Sequence, residues 1–184
     1  LGIPAEARTL VVVPTLIGNA DDVEELVEGL EVRFLANRDQ HLHFALLTDF
    51  MDAASEVLEG DTALLLLARQ RIEALNRKYP DADGQRFFLF HRPRRWNAQD
   101  QLWMGYERKR GKIAEFNALL RGQGAERFAL IVGDLQSLPA VRYVITLDTD
   151  SQLPRDAARQ FIATMAHPLT QCIIKLHEEH HNLE

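Results

Sequence analysis

An alternation constrains this chain most: short, wholly apolar runs rich in β-branched residues, each followed by a stretch with helical spacing. Residues 9–13 (TLVVV) read as a buried strand ended by Pro14. After the polar turn Gly18-Asn19-Ala20-Asp21, apolar residues recur at Val23, Leu26, Val27, Leu30 and Phe34. That is one face of a helix, capped near Asn19 or Asp21. Residues 43–47 (HFALL) form a second expected strand, closing on Thr48-Asp49. A helix over 61–78 follows, with Asp61 as cap and Pro80 just past its end, and then a strand over 86–90 (RFFLF). A helix over 112–121 stopped by Gly122, strands over 128–132 and 143–147, and a helix over 154–166 opened by Pro154 complete the pattern. Strands alternating with helices specify an αβα sandwich with a mainly parallel sheet. Ligands of such sheets bind beyond the carboxyl ends of the strands. Pro14-Thr15, Asp49 and the pair Asp148/Asp150 all fall there.

The length of 184 residues suits one domain, or most of one. No apolar run approaches the ~18 residues of a membrane span, and the N-terminus lacks the layout of a signal peptide. The lone Cys172 excludes an internal disulfide framework and suits a reducing compartment. Charge is uneven. Residues 86–112 carry eight Lys/Arg (Arg86, Arg92, Arg94, Arg95, Arg108, Lys109, Arg110, Lys112) against Asp100 and Glu107, a local +6 in a chain of net −6. A basic block in an acidic chain suits an anionic ligand better than nucleic acid; the plain alternative is a salt-bridged face. The same block, from Arg92 to Gly111, is a long loop in which arginines mix with Trp96, Trp103 and Tyr106, and loops of that length are usually functional or mobile.

The stretch VITLDTDSQLP, residues 144–154, runs an apolar strand into two acids. Strand residues two apart share a side, so Asp148 and Asp150 are expected to project together, and paired carboxylates favour a cation between them. Oxygen ligands of this kind suit Mg²⁺ or Mn²⁺, with water and phosphate oxygens filling the other positions. A bare D-x-D is a weak pattern; its place at the end of a buried strand is what raises it. Asp49, another acid after an apolar strand, is suited to hold a base or ribose, or is an ordinary turn residue. Gly111-Lys112 is expected at a helix start, a seat for diphosphate or a nearby carbonyl, or else simple capping ahead of the core face Ile113, Phe116 and Leu120.

Two further matches carry less. His177-Glu178-Glu179-His180-His181 spells H-E-x-x-H near the end of the chain with no downstream third ligand, which fits adventitious metal binding better than a zinc protease. The acid pair is also shared with D-x-D-x-[TV] phosphatases, but position 152 is Gln. Neither G-x-S-x-G nor G-x-x-x-x-G-K-[ST] is present, so nucleophile elbows and P-loops have no support.

TLVVVPTL, LLTDF, HRPRRWNAQDQLWMGYERKRGKIAEFNALLRG and VRYVITLDTDSQLPRDAARQ, in that order, resemble the glucosyltransferase domain of bacterial cyclic β-1,2-glucan synthases. The resemblance covers residues 8–168. It implies a GT-A (Rossmann-like) fold, truncated here, and an inverting transfer of glucose from UDP-glucose to a glucan acceptor, dependent on Mg²⁺ or Mn²⁺. It also implies that Asp148 and Asp150 handle the metal and diphosphate, Asp148 touching the donor as well. By the same resemblance Asp49 faces the uridine, Pro14 and Thr15 line the nucleotide pocket, and Lys112 and Asn117 pack beside it. The general base and the (Q/R)-x-x-R-W motif of the family are expected beyond the end of this chain; the R-x-x-R-W spelled by residues 92–96 lies upstream of the acid pair and is read as coincidence. The expected organisation is a donor-binding part over 1–168 and a tail over 169–184 unlike the family. Such a part would be inactive alone. It would work with the remaining domains of a parent synthase on the cytoplasmic face of the bacterial inner membrane. The contrasting expectation is a non-catalytic module whose basic loop meets membrane headgroups or neighbouring domains.

Overall fold

In the computed structural model, which describes residues 2–81, 84–136 and 141–167, the alternation becomes a sheet with helices on both faces. Strands β1 (Thr9–Ile17), β2 (Leu42–Phe50), β3 (Phe87–Arg92) and β7 (Tyr143–Thr146) run parallel, and β6 (Leu130–Val132) joins β3 antiparallel. The order is β6-β3-β2-β1-β7. All nine residues of β2 are buried, as a strand covered on both faces demands. The expected mainly parallel αβα sandwich is the observed fold. Pro168, the expected boundary after it, and the tail with Cys172 and the H-E-x-x-H lie outside the described residues.

Strand alternation divides the core in two. Val11, Val13, Phe44, Leu46, Phe87 and Leu89 point to one face, where helices α1 (Ala20–Ala36), α2 (Asp61–Lys78) and α4 (Ala157–Met165) cover them. Leu10, Val12, Ala45, Leu47, Phe88 and Phe90 point to the other, against Phe116 and Leu119 of α3 (Arg108–Leu120). Among the described residues no helix is long and apolar enough to cross a membrane.

Several boundaries differ from expectation for identifiable reasons. Pro14 does not end β1; the strand runs on to Ile17. Val12 accepts a hydrogen bond from the Leu147 amide on the β7 side, so Pro14, two residues on, turns its missing N–H to that same side, past the last residue of β7. Helix α1 is capped by Asn19, whose side chain accepts from the Asp22 amide while the Asp22 carboxylate accepts from the Asn19 amide. Asp61 lies inside α2 behind Gly60, and its carboxylate accepts from the Leu58 amide. Helix α3 begins a turn earlier than Lys112, with its cap Glu107 and its first residue Arg108 in left-handed conformations. Helix α4 begins at Ala157; Pro154 sits in a turn before it, and the left-handed Asp156 separates the two. The long loop expected over 92–111 contains a hairpin, β4 (Arg95–Asn97) and β5 (Leu102–Met104), and Trp103 exchanges both backbone hydrogen bonds with Ala53.

Candidate functional site at the carboxyl rim

Beyond the carboxyl ends of β1, β2 and β3 lies a buried ionic cluster. Asp49 ends β2 nearly, 1% exposed, and both its oxygens accept from Arg92 at 2.8 Å. Such a bidentate, charge-assisted fork is among the stronger pairings of a carboxylate. Arg92, also 1% exposed, donates to Glu115 of α3 at 2.9 Å and to the carbonyls of Tyr106 and Arg108. Burial works against its charge, but Asp49 and Glu115 outweigh it and its pKa is raised. Lys112 lies 3.2 Å from Asp49 and donates to the Thr15 carbonyl; burial pulls its pKa down while Asp49 supports the charge. Arg95 reaches the other oxygen of Glu115 at 3.0 Å.

Asp49, Lys112 and Thr15, expected together from the sequence, are therefore joined by direct contacts, with Pro14 in the same strand. The Asp49 carboxylate is enclosed rather than open. Gly105 is why it can be: a Cβ there would lie 2.2 Å from Asp49 Oδ2. A ligand touching Asp49 directly needs the segment from Gly105 to Arg108 to shift. Asn117 lies on α3 beyond Lys112, at a surface-exposed position.

The acid pair sits at the same rim, after β7, which is an edge strand without a buried residue rather than the expected buried strand, and both acids are exposed. Alternation does not reach them as expected. The strand stops at Thr146, and Asp148 to Ser151 form a turn closed by the Ser151 amide on the Asp148 carbonyl at 3.0 Å. Asp148 pairs with Lys109 of α3, whereas Asp150 lines a hollow of about 640 Å³ between this turn and α1. Neither an ion pair nor a hydrogen bond engages the Asp150 carboxylate among the described residues. The expectation that the two carboxylates project together is thus not met, since Asp148 turns to α3 and Asp150 to the hollow beside α1, on opposite faces of the sheet. No set of three or more His, Cys, Asp or Glu able to hold a metal occurs among the described residues, so an all-protein cage has no support.

Two residues that order this turn were not singled out in the sequence. Arg33 of α1, 8% exposed, donates to the carbonyls of Asp148, Thr149 and Ser151, at 2.7 Å for the Thr149 contact. Four residues on, Asn37 donates to the Leu153 carbonyl and accepts from the Ala158 amide, both at 3.1 Å. Gly29 leaves the space Arg33 needs, since a Cβ there would lie 2.9 Å from its Nη1. The available signal was polar residues at an i, i+4 interval next to the apolar face of α1.

The basic block is mostly satisfied from within. Arg86 pairs with Asp81, Arg92 with Asp49 and Glu115, Arg94 with Asp61, Arg95 with Glu115, Arg108 with Asp52, Lys109 with Asp148 and Lys112 with Asp49. Burial would raise the Asp61 pKa, yet Arg94 and the Leu58 amide hold it below the usual carboxylate range. The salt-bridged reading of this block is the one observed, and no broad anion-binding face results.

No protein-family model matches the chain. It is 44% identical over 173 residues to the protein described as cyclic beta-(1,2)-glucan synthase NdvB of Rhizobium meliloti (strain 1021). The match takes in 94% of this chain and 6% of that synthase, so the chain spans a small part of its relative's length.

Proposed function

Taking as premise that the chain corresponds to a short segment of a cyclic β-1,2-glucan synthase, we propose that it forms the donor-binding part of a glycosyltransferase that transfers glucose from UDP-glucose to a β-1,2-glucan. The observation that carries this reading is the rim itself. An exposed D-x-D follows β7, and Lys109 and Lys112 of α3 connect it with Thr15 and Asp49 at the ends of β1 and β2. That is where a parallel sheet binds nucleotides.

In the proposed reaction the β-linkage arises from the α-linked donor by a single inverting displacement. Asp148 and Asp150 would hold Mg²⁺ or Mn²⁺, which when bound neutralises charge on the departing diphosphate. Lys112, held at the rim by Asp49, places a second positive charge beside the nucleotide pocket of Pro14, Thr15 and Asn117. Asp49 serves this pocket through Arg92 and Lys112, and meets the uridine where the Gly105 segment moves aside. The general base, the glucan acceptor's remaining contacts and the membrane attachment at the cytoplasmic face belong to other domains of the parent synthase, and this part alone turns over no donor.

Calorimetric titration with UDP in the presence and absence of Mn²⁺ tests the reading. The expected result is metal-dependent binding that Asp150→Ala weakens by about tenfold or more, the loss of one charged ligand. Binding indifferent to both metal and substitution would falsify it.

A further inference from the structure

The β4–β5 hairpin carries a surface feature that the donor site does not use. Trp96 and Tyr106 are each 52% exposed. They border a hollow of about 580 Å³ that Arg95, Asn97, Gln99 and Glu107 also line. Tyrosine and tryptophan, with an apolar ring and a polar tip, are enriched at binding surfaces.

The platform is rigid. Trp96 pairs across the hairpin with Trp103, their rings 5.8 Å apart, and Trp103 is locked to Ala53 by two backbone hydrogen bonds of 2.9 Å. The Asn97 side chain braces the turn by accepting from the amides of Gln99 and Asp100 and donating to Asp100. Arg95 lies 5.9 Å from the Tyr106 ring centre and is tied to Glu115. Glu107 and Arg108 hold left-handed backbone at its edge, with φ of 49° and 48°, strain of the kind that gathers at binding sites.

Charge selects the ligand class. The two arginines at the hollow are paired, Arg95 with the Glu115 carboxylate that it shares with Arg92 and Arg108 with Asp52, while Asp100 and Glu107 add two negative charges. An anion is therefore disfavoured, whether lipid phosphate or nucleic acid. Aromatic faces beside free amide and carboxylate groups suit a neutral ligand that has apolar ring faces and hydroxyl edges, which describes a sugar chain. The hollow also adjoins the rim, because Glu107 and Arg108 lead directly into Lys109, the partner of Asp148. Resting on the donor-site reading above, we propose that Trp96 and Tyr106 form a subsite for the β-glucan chain, which stacks on the two rings and hydrogen-bonds Gln99 and Glu107.

Trp96 and Trp103 are the chain's two tryptophans, so tryptophan emission, excited apart from tyrosine, reads this hairpin alone. Titrating the 184-residue chain with β-1,2-linked gluco-oligosaccharides, without nucleotide or metal, is expected to give a saturable emission change at millimolar sugar or below. Trp96→Ala, read through Trp103, and Tyr106→Ala, which keeps both reporters, should each weaken binding about tenfold. Both sites are half exposed, and unchanged thermal unfolding identifies the loss as local. No saturable change, equal affinity in both variants, or a matching response to polyethylene glycol overturns the subsite. UDP and Mn²⁺ calorimetry on the same proteins separates the two readings: glucan binding lost with UDP binding intact rejects the platform alone, and the converse rejects the donor site alone.

Discussion

At the scale of single residues, two cations govern the acid pair differently. Lys109 and Asp148 are both more than half exposed, 53% and 60%, so their ion pair is solvent-screened and worth at most about 1 kcal/mol. In the proposed donor site it would act as a counter-ion that the metal displaces. Lys109→Ala is expected to tighten Mn²⁺ binding without nucleotide by about two- to fivefold, the factor that such a pair is worth. Unchanged or weaker Mn²⁺ affinity in that variant would mean that Asp148 takes no part in holding the metal. Arg33 is buried, and desolvation lowers its pKa, yet it donates to three carbonyls of the turn. Arg33→Ala leaves those carbonyls without their charged donor and should cost about 1.5–3 kcal/mol of folding stability. Arg33→Lys should recover little, since an ammonium lacks the guanidinium fork. Urea midpoints of the three proteins decide it.

Among elements, the segment from Gly105 to Lys112 does most to shape the rim, and two substitutions probe it in opposite directions. Gly105→Ala drives a methyl to 2.2 Å from Asp49 Oδ2, against a carboxylate that Arg92 holds in place, and should destabilise by about 1–3 kcal/mol. Glu107→Gly relieves a left-handed residue, φ 49°, and should stabilise by about 1 kcal/mol. Chemical denaturation reads both, and a neutral Gly105→Ala would show that the ionic cluster is looser than its contacts imply. The hairpin just before this segment was the least legible part of the sequence. Strands β1, β2 and β3 announced themselves because burial on both faces demands unbroken apolar runs. The hairpin did not, since three-residue strands such as RWN and LWM leave too few residues for a period to emerge. The D-x-D was legible as a motif, but its geometry was not. Whether a strand continues for two more residues depends on its partner, and here the turn is organised from α1 by Arg33 and Asn37, over 110 residues away in sequence. The arginines of the 86–112 block gave their charge in the sequence but not their partners, which tertiary contact alone supplies.

For the molecule as a whole, the two cores are coupled through the sheet, and a buried histidine on each face makes that coupling measurable. His43 lies on β2 with the face covered by α3, and Arg8 and Arg86 stand near it; His91 lies on β3 with the opposite face, beside Phe50, Lys112 and Arg94. Burial drives both pKa values down from 6.5 to about 4. The His91 ring accepts or donates at Nδ1 with Thr48, and its Nε2 has no partner, so a second proton finds no acceptor in the fold. Both groups are neutral in the folded chain at pH 5, whereas the unfolded chain binds protons below about pH 6.5. Stability present above pH 6.5 is therefore lost as pH falls toward 4, by about 2 kcal/mol per histidine between pH 7 and pH 5. The depressed carboxylates Asp61 and Glu31 act in the same direction but only below their ordinary values of 3.8 and 4.5, outside that window. Urea unfolding at pH 7 and pH 5 should thus show one cooperative transition whose midpoint falls with acid. His91→Gln, which can keep a hydrogen bond to Thr48, should remove about half of the drop. A midpoint that does not move between the two pH values contradicts the burial of both rings. Two separate transitions, one for each face, would contradict the coupling of the cores on which the rim's geometry depends.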